Sequence, residues 1–401
     1  MQVILSSNVT HYHYLAMALD RGGYLKRYIT SISPVSGNLP RVLPQRLRRK
    51  LEGRRISDID GQKVRRCWVP ELLQRGLPRT GLISGERGNW INNYLFDWMV
   101  GRWVDACDFF HFVSSIGLYS ARKAKRLGAR VICDVRQEHP NFQSRLLQDE
   151  SRSLGIRVAV SGTLYERKVI EELDIADYIV VPSSYARDTF TAEGYPKERI
   201  FVNPYGADPT QFHSERKQDK IFRVLFVGQI TARKGVHYLL RAMSELRLRN
   251  SELLLVGTAD PLFAPVLARF EGTFRHVGDV PKIELIQYYN RSSVLVLPSI
   301  ADAYALVVLE ALACGLPVIV STNTGSKEMV RDGEDGFVIP IRDVEALKQK
   351  ILLLYEDPGV RHKMAEAAAQ RASQLTWEGY ARRALRMYEQ FDRTTKNIGG
   401  A

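Results

Sequence analysis

Glu310 interrupts YALVVLEALACG, the run at residues 304–315, which is apolar nearly all the way round. As a helix, such a run is a buried one. A carboxylate inside it is costly unless another side chain or a ligand hydrogen-bonds it. Asp302 stands eight residues earlier, just before the helix is expected to begin, where a lone Asp also serves as an N-cap. The helix start between the two acids leaves backbone N–H groups unpaired and suits an anion, phosphate above all. If fully helical, the two acids lie roughly 12 Å apart, about the reach of a nucleotide-sugar from ribose to sugar ring.

A second constellation lies in FRVLFVGQITARKGVHYLL, residues 222–240. A strand ends at Gly228, and Arg233, Lys234 and Gly235 stand at the start of a helix. Two cations at the positive end of a helix are electrostatically unfavourable unless an anion sits between them. Arg offers bidentate phosphate contacts and Lys a compact charge. Gly235 is expected to let a ligand approach the backbone. In isolation, the pair also reads as two solvated surface cations. No G-x-x-x-x-G-K-[ST] loop and no G-x-G-x-x-G opening occurs, which argues against an ATPase or a dehydrogenase. Asp58-x-Asp60 lies in a basic stretch, not at a strand end, and reads as surface charge. Cys67, Cys107, Cys133 and Cys314 are scattered and show neither zinc spacing nor a disulfide framework. No metal or cofactor is expected, and a reducing cytoplasm fits.

The elements that must hold these residues alternate. Strands are predicted at 2–6, 28–32, 108–113, 130–135, 178–182 and 200–203, with helices at 12–21, 119–127 and 184–193. After a turn-rich linker at 203–220, strands are predicted at 222–228, 252–257, 274–277, 294–298, 317–321 and 337–340. Helices there are 236–246, 282–290, 304–314 and 344–355. The alternation predicts two α/β halves, each a parallel sheet with helices on both faces, and ligands in such folds sit beyond the carboxyl ends of the strands.

Length supports two domains, since 401 residues exceed one ordinary core. Hydrophobic residues at 45% and charged residues at 25% describe a soluble globular chain. The opening MQVILSSNVTHYHY reads as a first strand, not a signal peptide. The net charge of +13 is uneven, with 16 Lys/Arg against 7 Asp/Glu in residues 1–100. Residues 36–90 interrupt the strand–helix alternation. Within them Val42, Leu43, Leu47 and Leu51 fall at mostly four-residue spacing among Arg41, Arg46, Arg48, Arg49, Lys50, Arg54 and Arg55. A basic amphipathic helix of this kind suits an anionic membrane surface; its alternative is a solvated helix packed on its own domain. No nucleic-acid motif accompanies the charge.

The segments VGQITARKG, HVGDV, LPS and DAYALVVLEALACGLPVIVSTNTGSKEMVRDGEDGFVIP together resemble the donor-binding half of the retaining family-four glycosyltransferases. The likeness runs over residues 222–340 and continues into TWEGYARRALRMYEQF. It is weaker in the first half, through CDVRQEHP, ADYIVVPSSYARDTF and NPYGAD. The resemblance implies the α/β GT-B fold, two Rossmann-like doubly wound domains facing a cleft. Residues 1–204 would form the acceptor-side domain and 205–375 the nucleotide-sugar domain. Residues 376–401 would form a helix crossing back to the first.

The resemblance also implies roles. Glu310 matches the acid that binds the ribose hydroxyls. Asp302 stands where the family usually has Glu facing the transferred sugar. Ala303, Tyr304, Ala305 and Leu306 match the segment whose backbone amides meet the diphosphate and sugar. Lys234 matches the phosphate-binding Lys, Val280 lies where backbone meets the base, and Glu328 is another recurrent acid. His139 of QEHP matches the first-domain His near the reacting carbon. Gln229, after Gly228, replaces the usual Arg, and Arg233 is the candidate substitute. SNVTHYHY replaces the usual glycine-rich loop, with His11 and His13 expected to be exposed.

The implied reading is sugar transfer from a nucleotide-diphosphate donor to a lipid-linked or cell-surface glycan. It would take place in the cytoplasm or at the inner face of the membrane, with residues 41–66 as the membrane contact. The alternatives are a GT-B-like nucleotide-sugar epimerase and a non-catalytic sugar-nucleotide-binding protein.

Overall fold

The computed structural model describes residues 1–31, 59–67, 70, 85–158, 163–208 and 211–398. The expected basic helix at 41–55 and Asp58 lie outside these residues.

The first sheet is built from β1 (Val3–Ser6), β2 (Leu25–Thr30), β3 (Val64–Arg66), β4 (Phe109–Val113), β5 (Arg130–Asp134), β6 (Tyr178–Val181) and β7 (Ile200–Val202). Their order is β3-β2-β1-β4-β5-β6-β7. The helices described with it are α1 (Tyr12–Arg21), α2 (Gly85–Trp103), α3 (Leu118–Arg126), α4 (Pro140–Leu154), α5 (Thr163–Ile175) and α6 (Ser184–Thr191). The second sheet contains β8 (Phe222–Val227), β9 (Ser251–Val256), β10 (Arg275–Gly278), β11 (Val294–Leu297), β12 (Val318–Ser321) and β13 (Gly336–Ile339). It runs β10-β9-β8-β11-β12-β13. Its helices include α7 (Val236–Leu246), α8 (Ala264–Ala268), α9 (Leu285–Asn290), α10 (Leu306–Ala313), α11 (Val344–Glu356) and α12 (Pro358–Ser373).

Every strand pairing described is parallel. The central strands are continuous apolar runs because helices cover both faces. β4, β11 and β12 are buried at every position.

Five helices go beyond the sequence expectation: α2, α4, α5, α8 and α12. The 36–90 stretch is also less of an interruption than expected. It contributes β3 as an edge strand and the start of α2. A three-residue edge strand bearing Arg65 and Arg66 has no apolar pattern to reveal it.

The last helix, α13 (Trp377–Ile398), returns to the first sheet. It packs on α1. Tyr388 bonds to His111 of β4, and Phe391 stacks on Tyr178 with ring centroids 3.6 Å apart. The chain therefore crosses between the domains twice, and the crossings run side by side. Ala207 N–H donates to Leu375 O at 2.7 Å. A Cβ on Gly206 would lie 2.3 Å from the Thr376 carbonyl carbon.

Candidate active site

Lys234 and Asp302 meet where β8 and β11 end. Thr231 caps the turn that carries Arg233 and Lys234, its hydroxyl accepting from Lys234 N. The Lys234 ammonium bonds directly to the Asp302 carboxylate. Burial, with Arg233 adding to it, pulls the Lys234 pKa down despite the Asp302 charge. Arg233 is tied to the same loop: its guanidinium donates to Ala301 O at 3.0 Å, and its carbonyl accepts from Ile300 N at 2.9 Å.

Gly235 differs from expectation. Its φ is +65°, and a Cβ would lie 1.9 Å from Pro298 O. Glycine is required here by backbone conformation and by contact with the β11 end, before any ligand is considered.

Asp302 is not a helix cap. α10 begins at Leu306, two residues later than expected, and Ala305 holds the N-cap position without a side-chain bond. Residues 302–305 stay outside the helix because neighbours hold them. Asp302 N donates to Asn323 O at 3.1 Å, and Gly325 N donates to Asp302 O at 2.8 Å. Ala305 N donates to the Ser326 hydroxyl at 3.0 Å. The first domain grips the same loop: the Ser183 hydroxyl donates to Ala303 O at 2.7 Å, and Tyr304 OH donates to Tyr205 O at 3.0 Å.

Glu310 is buried on α10 and has protein partners. It accepts from Tyr289 OH at 2.9 Å and pairs with the Lys282 ammonium at 3.0 Å. The sequence pattern did not point to either partner. Gly228 takes φ +145° as β8 ends, Gln229 beside it is exposed, and Val280 packs part-buried on the second core.

The first domain contributes the other wall. α4 packs on the Arg233–Lys234 turn. His139 caps α4, its Nδ1 accepting from Asn141 N at 3.2 Å. Its ring lies 5.3 Å from Phe190 and 5.4 Å from Tyr195, centroid to centroid. Burial lowers its pKa, and its Nε2 has no partner. The preceding residue, Glu138, is the one that lies within reach of the charges of Arg233, Asp302 and Lys234; sequence reasoning passed it over. Glu328 on the second domain accepts from Tyr185 N, at the start of α6, at 2.9 Å.

His11 and His13 are not exposed as expected. His11 stacks on Tyr12 at 4.7 Å and Trp377 at 5.6 Å. His13 Nδ1 meets Tyr28 OH at 2.9 Å. Burial, then the charges of Arg136 and Lys282, push the His11 pKa down to about 3. Asp60 lies on the surface as expected, accepting from Gln62 N.

Two parallel doubly wound sheets facing a cleft, with a final helix returning to the first, define the GT-B class of glycosyltransferase fold. Two glycosyltransferase family models match the two halves of the chain. The model described as "Glycosyl transferases group 1" matches residues 208–371, and that described as "Glycosyl transferase 4-like domain" matches 10–206. A D-inositol 3-phosphate glycosyltransferase of Corynebacterium urealyticum is 30% identical over 251 residues, 55% of this chain and 59% of that protein. The O-antigen chain mannosyltransferase B of Escherichia coli is 27% identical, over 56% of this chain and 63% of its own. The chain thus spans about six-tenths of the length of these two relatives. Among solved structures, the Anabaena protein HepE in complex with UDP-glucose superposes with a TM-score of 0.65 at 14% identity, covering 97% of this chain and 100% of its own.

Proposed function

We propose that the chain is a retaining glycosyltransferase. It moves a sugar from a nucleoside-diphosphate donor to a hydroxyl of a lipid-linked or cell-surface glycan. The observation that carries this reading is the Lys234–Asp302 pair beside the start of α10, with buried Glu310 on the same helix. Lys234 and Asp302 follow the carboxyl ends of β8 and β11, and Glu310 stands on the helix that continues from the Asp302 loop.

Glu310, oriented by Tyr289 and Lys282, takes the ribose hydroxyls, and the Val280 backbone meets the base. Lys234, Arg233 and the Gly228–Gln229 turn face the diphosphate, together with Ala303, Tyr304, Ala305 and the Leu306 helix start. Asp302 faces the sugar, and His139 approaches it through its free Nε2. In transfer, the bond from the anomeric carbon to the diphosphate breaks, and the acceptor oxygen bonds to that carbon on the same face. The acceptor proton passes to the leaving diphosphate. The cations and the α10 dipole offset its growing charge, so the step requires no metal. Closure of the domains excludes water. HepE, solved with UDP-glucose, supports a uridine donor.

A membrane-side acceptor is supported by the flank of the first domain. Trp90, Tyr94 and Trp98 are exposed at four-residue spacing along α2. Trp90 and Tyr94 stack at 5.7 Å, and Arg102 lies 5.4 Å over the Trp98 ring. Amphipathic aromatics beside cations suit a lipid headgroup region. Asn93 donates to the Ser115 hydroxyl at 3.4 Å, which sets the first half of α2 beside the carboxyl end of β4 and so near the cleft. No helix among the described residues is long and apolar enough to cross a membrane.

A thermal-shift screen of UDP-, GDP- and ADP-sugars tests the donor assignment. Ligand binding to the folded state raises the melting temperature by mass action. One base series should stand out, and silence across all three would remove the reading. Flotation with phosphatidylglycerol vesicles tests the membrane side, where indifference to lipid charge is the adverse result.

A further inference from the structure

Two buried polar side chains of the first domain face the Lys234–Asp302 pair without a complete set of partners. Glu138 is 2% exposed. Its Oε2 accepts from Gln143 at 2.9 Å, but its Oε1 has no partner. Tyr185 is 8% exposed, and its hydroxyl has none either. Buried polar atoms are nearly always hydrogen-bonded, and an orphan calls for a reason.

Their placement supplies one. Glu138 immediately precedes His139, the α4 cap, and α4 packs on the Arg233–Lys234 turn. Tyr185 opens α6, and its own N–H and the neighbouring Ser183 hydroxyl already reach across to Glu328 and Ala303. Both side chains therefore lie at the seam between the domains, close enough to Asp302 for its charge to act on them. The local electrostatics agree with this placement. Burial raises the Glu138 pKa, with Asp302 adding and Arg233 and Lys234 opposing. Burial likewise raises Tyr185, with Glu138 and Asp302 adding. An orphan acceptor, an orphan hydroxyl and a facing carboxylate form a hydrogen-bonding set suited to neutral hydroxyl groups.

We propose that Glu138 and Tyr185 are specificity-determining residues that bind hydroxyls of the transferred sugar from the first-domain side, opposite Asp302. The assignment rests on the donor reading above. Glu138 Oε1 accepts from one sugar hydroxyl, and Tyr185 OH bonds to another. The sugar is then read by both domains, whereas the nucleotide is read by the second alone. A site built to hydrogen-bond a particular hydroxyl discriminates strongly against an isomer that leaves its buried groups unpaired.

The test compares each nucleotide-sugar with its own nucleotide. Affinities of UDP, UDP-glucose, UDP-galactose, GDP and GDP-mannose are measured on the full chain, on Glu138→Gln and on Tyr185→Phe. The expected result is unchanged affinity for UDP or GDP, with a loss of about tenfold to a hundredfold for the matching sugar donor in Glu138→Gln and a smaller loss in Tyr185→Phe. Both variants should melt no lower than the parent without ligand. Each removes an unsatisfied buried atom or charge and no existing partner of Tyr185. A structural role predicts the opposite, a lower melting point with the sugar increment intact. Equal loss for nucleotide and nucleotide-sugar, or no change in their ratio, overturns the assignment. If the unmodified chain answers to no donor, the donor reading fails first and takes this assignment with it.

Discussion

Glu138 and Glu150 are two glutamates on the same stretch of chain, both buried against the second domain, and their surroundings are opposite. Glu150, on α4, is saturated: its carboxylate accepts from His237 at 3.1 Å, Tyr238 at 3.0 Å and Arg342 at 2.6 Å. Burial alone would raise its pKa, but those hydrogen bonds hold it below the usual carboxylate range. Glu138 has one side-chain donor and a raised pKa. A satisfied carboxylate at a domain boundary is a fastener. An unsatisfied one among mobile-proton groups is a vacancy in the hydrogen-bond network that a substrate can complete.

The strongest way to break this contrast is Glu150→Ala. It leaves Arg342 with Asp149 alone, at 4.0 Å, and removes the acceptor for His237 and Tyr238, so the folded state should lose about 3 kcal/mol, read as a lower urea midpoint. A parent-like midpoint would remove the fastener role. Lys234→Ala addresses the other cluster. Loss of a cation facing the leaving group should cut kcat by about a hundred- to a thousandfold, measured with the donor the screen identifies. Retained turnover would mean that Arg233 suffices.

Acid sensitivity separates a third buried group from both. His11 titrates near 3 in the folded protein and near 6.5 when unfolded. Between those values the unfolded chain binds the extra proton. Stability should therefore fall as pH drops below about 6.5, by up to about 1.4 kcal/mol per pH unit. His11→Phe keeps a ring against Trp377 and should flatten that slope; an unchanged slope would assign it elsewhere. Tyr289→Phe should have the smallest effect. It leaves Glu310 with Lys282 alone and costs about 1 kcal/mol of stability, together with weaker nucleotide affinity. Improved affinity would indicate that Tyr289 competes with the ribose instead of orienting Glu310.

Much of this molecule was readable from residue types. FFHFV, VLVL and VIVS announce strands covered on both faces, and the two-sheet architecture follows. Glu310 and Lys234 stood out because each is out of place locally, an acid in an apolar helix and a cation at a helix start. Glu138 was not legible. It sits in the polar string RQEHP, where no local pattern marks a buried acid. His139 drew notice instead because QEHP resembles the stretch that carries the family's first-domain His. The helix α4 was missed for a similar reason: PNFQSRLLQDESRSL buries only part of one side, and its Glu150 finds partners far away in sequence. The late start of α10 reflects tertiary override, since Asn323, Gly325 and Ser326 hold residues 302–305 outside the helix against their helical tendency.

The paired passage of the chain between its halves constrains how they can move. With Gly206 pressed flat on Thr376 and Ala207 bonded to Leu375, the two covalent ties lie along one line, like adjacent knuckles on a door. Rotation about that line is the cheap motion, while sliding or twisting would tear one tie from the other. A protease nick at residues 374–376 would then have an effect beyond loosening a tail. It would release the strand that keeps the axis single, and leave the first sheet reliant on α13 as a detached peptide.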